Sequence, residues 1–179
     1  MDTTSLLMNG LMNNLLICLV GAIHPMIVGL VVLLVKRGRK VGRICPAWYV
    51  AECIPPLALM LLLYFQSNIS GDYSLFVVIL TLALSHTAFI PIHIREAYTV
   101  RNYFAAAIDL VGSLLKWSMV AGFIAARDIL QTANIIHSRT YTSESYVAVF
   151  GITFAILLLL QLVKWLITRK GKQADALPE

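Results

Sequence analysis

The stretch Asn102–Ala126, NYFAAAIDLVGSLLKWSMVAGFIAA, decides the fold class of this chain. It is long enough to cross the ~30 Å hydrocarbon core of a bilayer as one helix, and it contains both Asp109 and Lys116. Their spacing places the two charges on one helix face, about 10 Å apart. A charge at the centre of a spanning helix costs about 2.5 to 3.5 kcal/mol on insertion scales. The stretch therefore predicts a helix that needs protein or water on its charged face.

The composition of the whole chain is that of an integral membrane protein. Of its 179 residues, 59% are hydrophobic and only 13% are charged, and the mean hydropathy is +0.82. These values exceed the apolar content of ordinary globular domains. A spanning helix takes about 20 residues, which leaves little length for a soluble domain. We predict an all-α, single-domain bundle of five transmembrane helices at about 13–35, 46–65, 73–94, 102–126 and 146–167.

The basic residues flank the predicted spans and indicate their orientation. The segment KRGRKVGR, residues 36–43, directly follows the first span. On the five-span arrangement, eleven of the 14 lysines and arginines fall on one side and two on the other, which predicts an outside N-terminus and a cytoplasmic C-terminus in a plasma (inner) membrane. The net charge of +5 does not indicate nucleic-acid binding, because the bases form no patch with interleaved aromatic residues.

The longest predicted exposed segment lies between the fourth and fifth spans. Its apolar residues Ile129, Leu130, Ala133 and Ile136 recur at helical spacing. The segment is either a short interfacial helix or a plain connector. It is the first candidate for contact with an extracytoplasmic partner.

Polar side chains within the spans form a predicted layer. At 1.5 Å per residue they fall about 8 to 18 Å from the cytoplasmic end of each helix. Two interpretations remain open. The layer is either a hydrated cavity or proton relay, in which Lys116 pairs with Asp109 or Glu52, or a set of buried pairs and hydrogen-bonded histidines that fix helix packing. Its members are Lys116, Asp109, Glu52, His24, His86 and Gln161.

Cofactor and enzyme motifs are sparse. A b-type haem needs two axial ligands, and His24 and His86 come from different helices at depths that differ by about 4 Å, with His93 as a spare ligand. We predict no other cofactor and no metal site. The sequence has no G-x-S-x-G, H-E-x-x-H, P-loop or dinucleotide motif, so an enzyme is not the favoured class. The three cysteines form no C-x-x-C pair.

Three functions follow as hypotheses. The leading one is a small non-enzymatic protein that acts through contact with a membrane-protein partner or a second copy, as an accessory subunit or an immunity or exclusion factor. It rests on the short loops, the missing motifs and the small residues Gly122 and Ala126 at helical spacing. The alternatives are a proton- or ion-coupled transporter or channel unit that uses the polar layer, and a haem-binding membrane subunit.

Overall fold

The computed structural model describes residues 3–36, 53, 55–66, 74–94, 99–119, 121 and 128–174, and these residues are almost entirely helical, with no strands. Predictions for Glu52, Gly122 and Ala126 lie outside the described residues. The helices within the described ranges are α1 Thr3–Lys36, α2 Pro56–Gln66, α3 Ser74–Ser85, α4 Phe89–His93, α5 Val100–Ser118, α6 Ile129–Thr140 and α7 Glu144–Ala174.

The first helix is the centre of the bundle. It has 34 residues, or about 51 Å of length, and it packs against α3, α4, α5 and α6. One side is buried and includes Ile17, Cys18, Ala22 and Leu33. Its other side exposes large apolar residues, as a helix in contact with lipid does: Leu19, Ile23, Ile27, Val31 and Leu34.

Three helical segments among the described residues are long and apolar enough to cross a membrane. They are Thr3–Lys36, Ser74–His93 and Glu144–Arg169, with mean hydropathies of 2.6, 2.2 and 2.4. They match the first, third and fifth predicted spans. Pro56–Phe65 is a shorter apolar helix within the second predicted span. The bundle is therefore all-helical and membrane-like, while the number of five spans and their orientation stay predictions.

The helix at the fourth predicted span, α5, begins at Val100 and has 19 residues. It begins with Thr99 as N-cap, whose side chain accepts a hydrogen bond from the Asn102 N–H at 3.2 Å. At 1.5 Å per residue it is about 28 Å long, close to the thickness of a bilayer core. Helix α5 is not one of the three strongly apolar segments named above, because one of its faces is polar.

The third predicted span is not a single regular helix. Helix α3 ends at Ser85, residues 86–88 form a turn, and α4 follows. Pro91 has no N–H for a helical bond, which accounts for part of the irregularity. Beside this break α4 approaches α1 closely, since a Cβ added at Gly29 would lie 2.4 Å from Ile90 Cγ2.

The segment after the fourth predicted span contains a helix, as the helical spacing predicted, while its place at a membrane interface stays a prediction. Asp128 caps α6 at its N-terminus. Ile129, Ala133 and Ile136, three of the four residues that predicted the helix, are buried. A Cβ added at Gly10 would lie 2.8 Å from Ile129 Cα. The backbones of α1 and α6 are therefore in direct contact.

Candidate functional site

One side of α5 carries a line of polar residues, which we call the polar face: Asn102, Asp109, Ser113 and Lys116. Their spacings of seven, four and three residues place them along one face of a helix. The opposite side of α5 is buried, and its Tyr103 hydroxyl donates to the Met26 carbonyl of α1 at 2.9 Å. The polar face is therefore turned away from the central helix.

Two neighbouring parts of the bundle flank the polar face. On one side Lys164 of α7 forms an ion pair with Asp109, with Nζ 2.6 Å from Oδ2. Gln161 Nε2 lies 3.5 Å from the other carboxylate oxygen. On the other side His86 Nε2 lies 3.2 Å from Ser113 Oγ. The polar face thus lies between α7 and the junction of α3 and α4.

The predicted pairing of Lys116 with Asp109 is wrong. Asp109 pairs with Lys164, and Lys116 is exposed, with no carboxylate of the described chain within ion-pair distance. The reason is geometric, because seven residues along a helix separate two side chains by about 10 Å, whereas an antiparallel neighbour brings a cation directly opposite. Pairing of Lys116 with Glu52 is not tested, since Glu52 lies outside the described residues.

His24 and His86 are both hydrogen-bonded to other parts of the bundle. His86 is buried, and its Nδ1 lies 3.0 Å from the Leu82 carbonyl. Because a carbonyl only accepts, Nδ1 donates and Nε2 accepts from the Ser113 hydroxyl. His24 Nε2 lies 3.1 Å from the Thr87 hydroxyl, which itself donates to backbone carbonyls, so His24 donates. These contacts agree with histidines that help to fix helix packing.

Haem ligation would require His24 and His86 to release the hydroxyl partners of their Nε2 atoms. His93, the spare ligand, donates from Nδ1 to the Phe89 carbonyl at 2.7 Å and stacks on the Phe89 ring. Haem binding stays a prediction, which the absorbance spectrum of the pure protein tests. Within the described ranges no three or more histidine, cysteine or acidic side chains are grouped to hold a metal ion.

Asn14 is a structural residue that the sequence analysis missed. It is fully buried. Its Nδ2 donates to Ser118 Oγ at 2.8 Å, and its Oδ1 accepts from the Ile129 N–H at 2.8 Å. One side chain thus joins α1, α5 and the first turn of α6. The signal was an asparagine pair, Asn13–Asn14, directly before an apolar run.

A solved structure shares this fold. The chain resembles one in a crystal structure of an amino acid ABC transporter with histidines, with a TM-score of 0.73 and 21% sequence identity. The similarity covers 93% of this chain and 94% of the other. No protein-family model matches the sequence, and the curated proteins contain no match. At this identity the likeness shows a common fold.

Proposed function

We propose that this chain is a membrane-embedded subunit of a transport complex, in which the polar face of α5 lines a hydrophilic path that a second subunit closes. The observation that carries the proposal is the exposure of this face on the side of an otherwise apolar bundle. Lys116 is exposed, and the side chains of Asp109 and Lys164 keep 25% and 32% of their accessible surface.

Charged groups at this depth need water or protein around them. Each charge near the centre of a lone spanning helix costs about 2.5 to 3.5 kcal/mol against lipid. The polar face extends from Asn102 to Lys116, about 21 Å along the helix axis. That length covers roughly two thirds of a ~30 Å hydrocarbon core. A single structural ion pair would not need polar groups over such a distance, whereas a path for a solute would.

The second subunit is either another copy of this chain or a different membrane protein. Few residues of helix α7 are buried, only 11% of those in its most apolar 18-residue stretch. Its exposed residues include Val147, Phe150, Phe154, Leu158 and Leu162. We propose that this apolar surface of α7 and the polar face of α5 are together covered by lipid and by the partner subunit. The proposed setting is a plasma membrane, with five spans, an outside N-terminus and a cytoplasmic C-terminus.

The fold likeness supports a transporter over a solitary membrane protein, although a fold alone does not determine function. By that likeness we propose a small polar solute, such as an amino acid, as the substrate. The chain has no P-loop motif, so any ATP hydrolysis would come from a separate partner. Proton or ion coupling is the second candidate, because His86 lies beside Ser113 on the polar face.

The test is solute uptake by the complex. The chain is purified in mild detergent with its partners and reconstituted in proteoliposomes, and uptake of labelled amino acids is measured. We expect Lys116→Met to reduce uptake tenfold or more at an unchanged unfolding temperature, because no described acid depends on Lys116. The matched control is Leu159→Met on the exposed side of α7, which should transport as the original protein does.

Uptake by Lys116→Met at the original rate would contradict the proposed path. A chain that purifies as a lone monomer and crosslinks to nothing in the membrane would contradict the role as a subunit. A stable complex that moves neither amino acids nor ions would instead favour the accessory, immunity or exclusion role.

A further inference from the structure

A second polar feature lies between the first turns of α1 and helix α6. It is a cavity of about 360 Å³, which we call the α1–α6 groove, lined by Leu6, Asn9, Gly10, Asn13, Thr132, Ile135 and Arg139. Gly10 lies opposite Ile129 and Thr132, and Asn14 opposite Ile129. The two helices therefore run antiparallel, and each contributes residues spaced by about one turn.

Close contacts between α1 and α6 hold the groove in shape. Gly10 allows the backbone of α1 to approach α6, since a Cβ there would lie 2.8 Å from both Ile129 Cα and Thr132 Oγ1. Asn14 adds its hydrogen bond to the Ile129 N–H at one end. These contacts fix the distance between the two helices. The groove is thus a preformed space, which lowers the entropic cost of binding a ligand.

The lining combines one cation with groups that both donate and accept. Arg139 is exposed and has no carboxylate of the described chain within ion-pair distance. Its guanidinium matches a carboxylate through paired hydrogen bonds. Asn9 is also exposed and offers an amide. The Thr132 hydroxyl donates to the Asp128 carbonyl at 2.8 Å, so towards the groove it can only accept.

We propose that the α1–α6 groove binds a small polar solute that bears a carboxylate. Arg139 holds the carboxylate, and the Asn9 amide and Thr132 hydroxyl oxygens accept from the solute's ammonium or hydroxyl groups. A single guanidinium balances one negative charge, which favours a monocarboxylate group over a multiply charged phosphate. On the proposed topology the groove opens outside the membrane, where such a solute would arrive.

A lipid headgroup is the less favoured source of the negative charge. A bound lipid needs an apolar surface for its acyl chains beside the headgroup, and the large apolar residues of the groove are only Leu6 and Ile135. The chain has such an apolar surface elsewhere. A separate cavity of about 280 Å³ is lined almost wholly by apolar residues, among them Met119, Leu130, Val149, Phe150, Phe154 and Leu157.

The test is calorimetric binding to the full chain in phosphatidylcholine nanodiscs. The probes are L-glutamine, L-glutamate and lactate, with L-glutaminamide as the analogue that lacks the α-carboxylate. We expect at least one carboxylate probe to bind and the carboxamide analogue not to bind. Loss of a charge-assisted hydrogen bond in Arg139→Gln should weaken binding roughly tenfold to hundredfold. The control Arg169→Gln removes an exposed cation near the C-terminal end of α7, outside the groove, and should leave the affinity for these probes unchanged.

Absence of binding by every carboxylate probe would overturn the proposal, as would equal affinity in Arg139→Gln at an unchanged unfolding temperature. Nanodiscs that contain phosphatidylglycerol test whether the groove binds a lipid headgroup in place of a free solute. If Arg139→Gln alters only the association with phosphatidylglycerol, the groove is a headgroup site and the proposal is wrong. Binding requires no partner subunit, so this proposal and the transport proposal can fail separately.

Discussion

Asp109 has its ionic partner on another helix, and this single contact changes the interpretation of the polar layer. The sequence places Lys116 on the same helix face, but their axial separation of about 10 Å prevents direct contact. Lys164 is 55 residues away in the chain and lies 2.6 Å from the carboxylate. The register between α5 and α7 decides the pairing, and no local pattern in the sequence gives that register.

A double-mutant cycle tests this pairing. We expect Asp109→Asn and Lys164→Met to show a coupling energy of about 1 kcal/mol in thermal or chemical unfolding, since both side chains are partly exposed. Removal of either partner alone leaves an uncompensated charge in an apolar bundle. The control cycle pairs Asp109→Asn with Lys116→Met and should show no coupling. A larger coupling energy between Asp109 and Lys116 than between Asp109 and Lys164 would support the pairing predicted from the sequence.

Asn14 and the histidines show where residue-level prediction succeeds and fails. The sequence singled out His24 and His86 because imidazoles inside a span are unusual, and the structure gives both of them hydrogen-bond partners elsewhere in the bundle. Asn14 lies near the start of an apolar run, where a polar residue predicts only a helix end. Its role depends on the Ile129 N–H, which is 115 residues away.

At the scale of elements, the length of the apolar segments was the most reliable predictor of the helices. It located α1, α3 and α7, and helical spacing located α6. It did not show that α1 begins at Thr3, about three turns before the predicted span, because residues such as Asn9 and Asn13 look solvated. Nor did it show the break between α3 and α4, to which the missing N–H of Pro91 contributes.

Close packing of α1 against α4 gives a prediction at this scale. Gly29→Ala would place a Cβ 2.4 Å from Ile90 Cγ2 and 2.7 Å from Ile90 Cβ, and a β-branched side chain cannot rotate away easily. We expect Gly29→Ala to destabilise the bundle by about 1 to 3 kcal/mol, measured as a lower unfolding temperature in detergent.

The matched control is Gly151→Ala in α7, where an added Cβ meets nothing within 4 Å. It should leave stability unchanged or raise it by up to about 1 kcal/mol, because alanine is the better helix former. Ile90→Gly removes both atoms that the added Cβ would meet, so Gly29→Ala should cost less stability in the Ile90→Gly background than in the original protein. An unaffected Gly29→Ala protein would show that α1 and α4 are not packed this closely.

At the scale of the whole molecule, the apolar and polar surfaces divide the bundle. The outer side of α1 and most of α7 suit lipid, whereas the polar face of α5 does not. The α1–α6 groove is a separate polar surface, because α1 packs on the opposite side of α5. Composition predicted a helical membrane protein. It could not predict which polar residues remain exposed, since exposure depends on how all the helices assemble.

The most direct test asks whether the polar face meets water or lipid in the membrane. In a background with Cys18→Ala, Cys45→Ser and Cys53→Ser, the variants Lys116→Cys and Leu158→Cys are exposed to a membrane-impermeant maleimide. Thiols react as thiolates, which need an aqueous environment. Leu158 is 56% exposed on the apolar surface of α7, so it reports lipid. We expect rapid labelling of Lys116→Cys and none of Leu158→Cys. Equal protection of both from the impermeant reagent, with equal reaction towards a lipid-soluble maleimide, would contradict a hydrophilic path along α5.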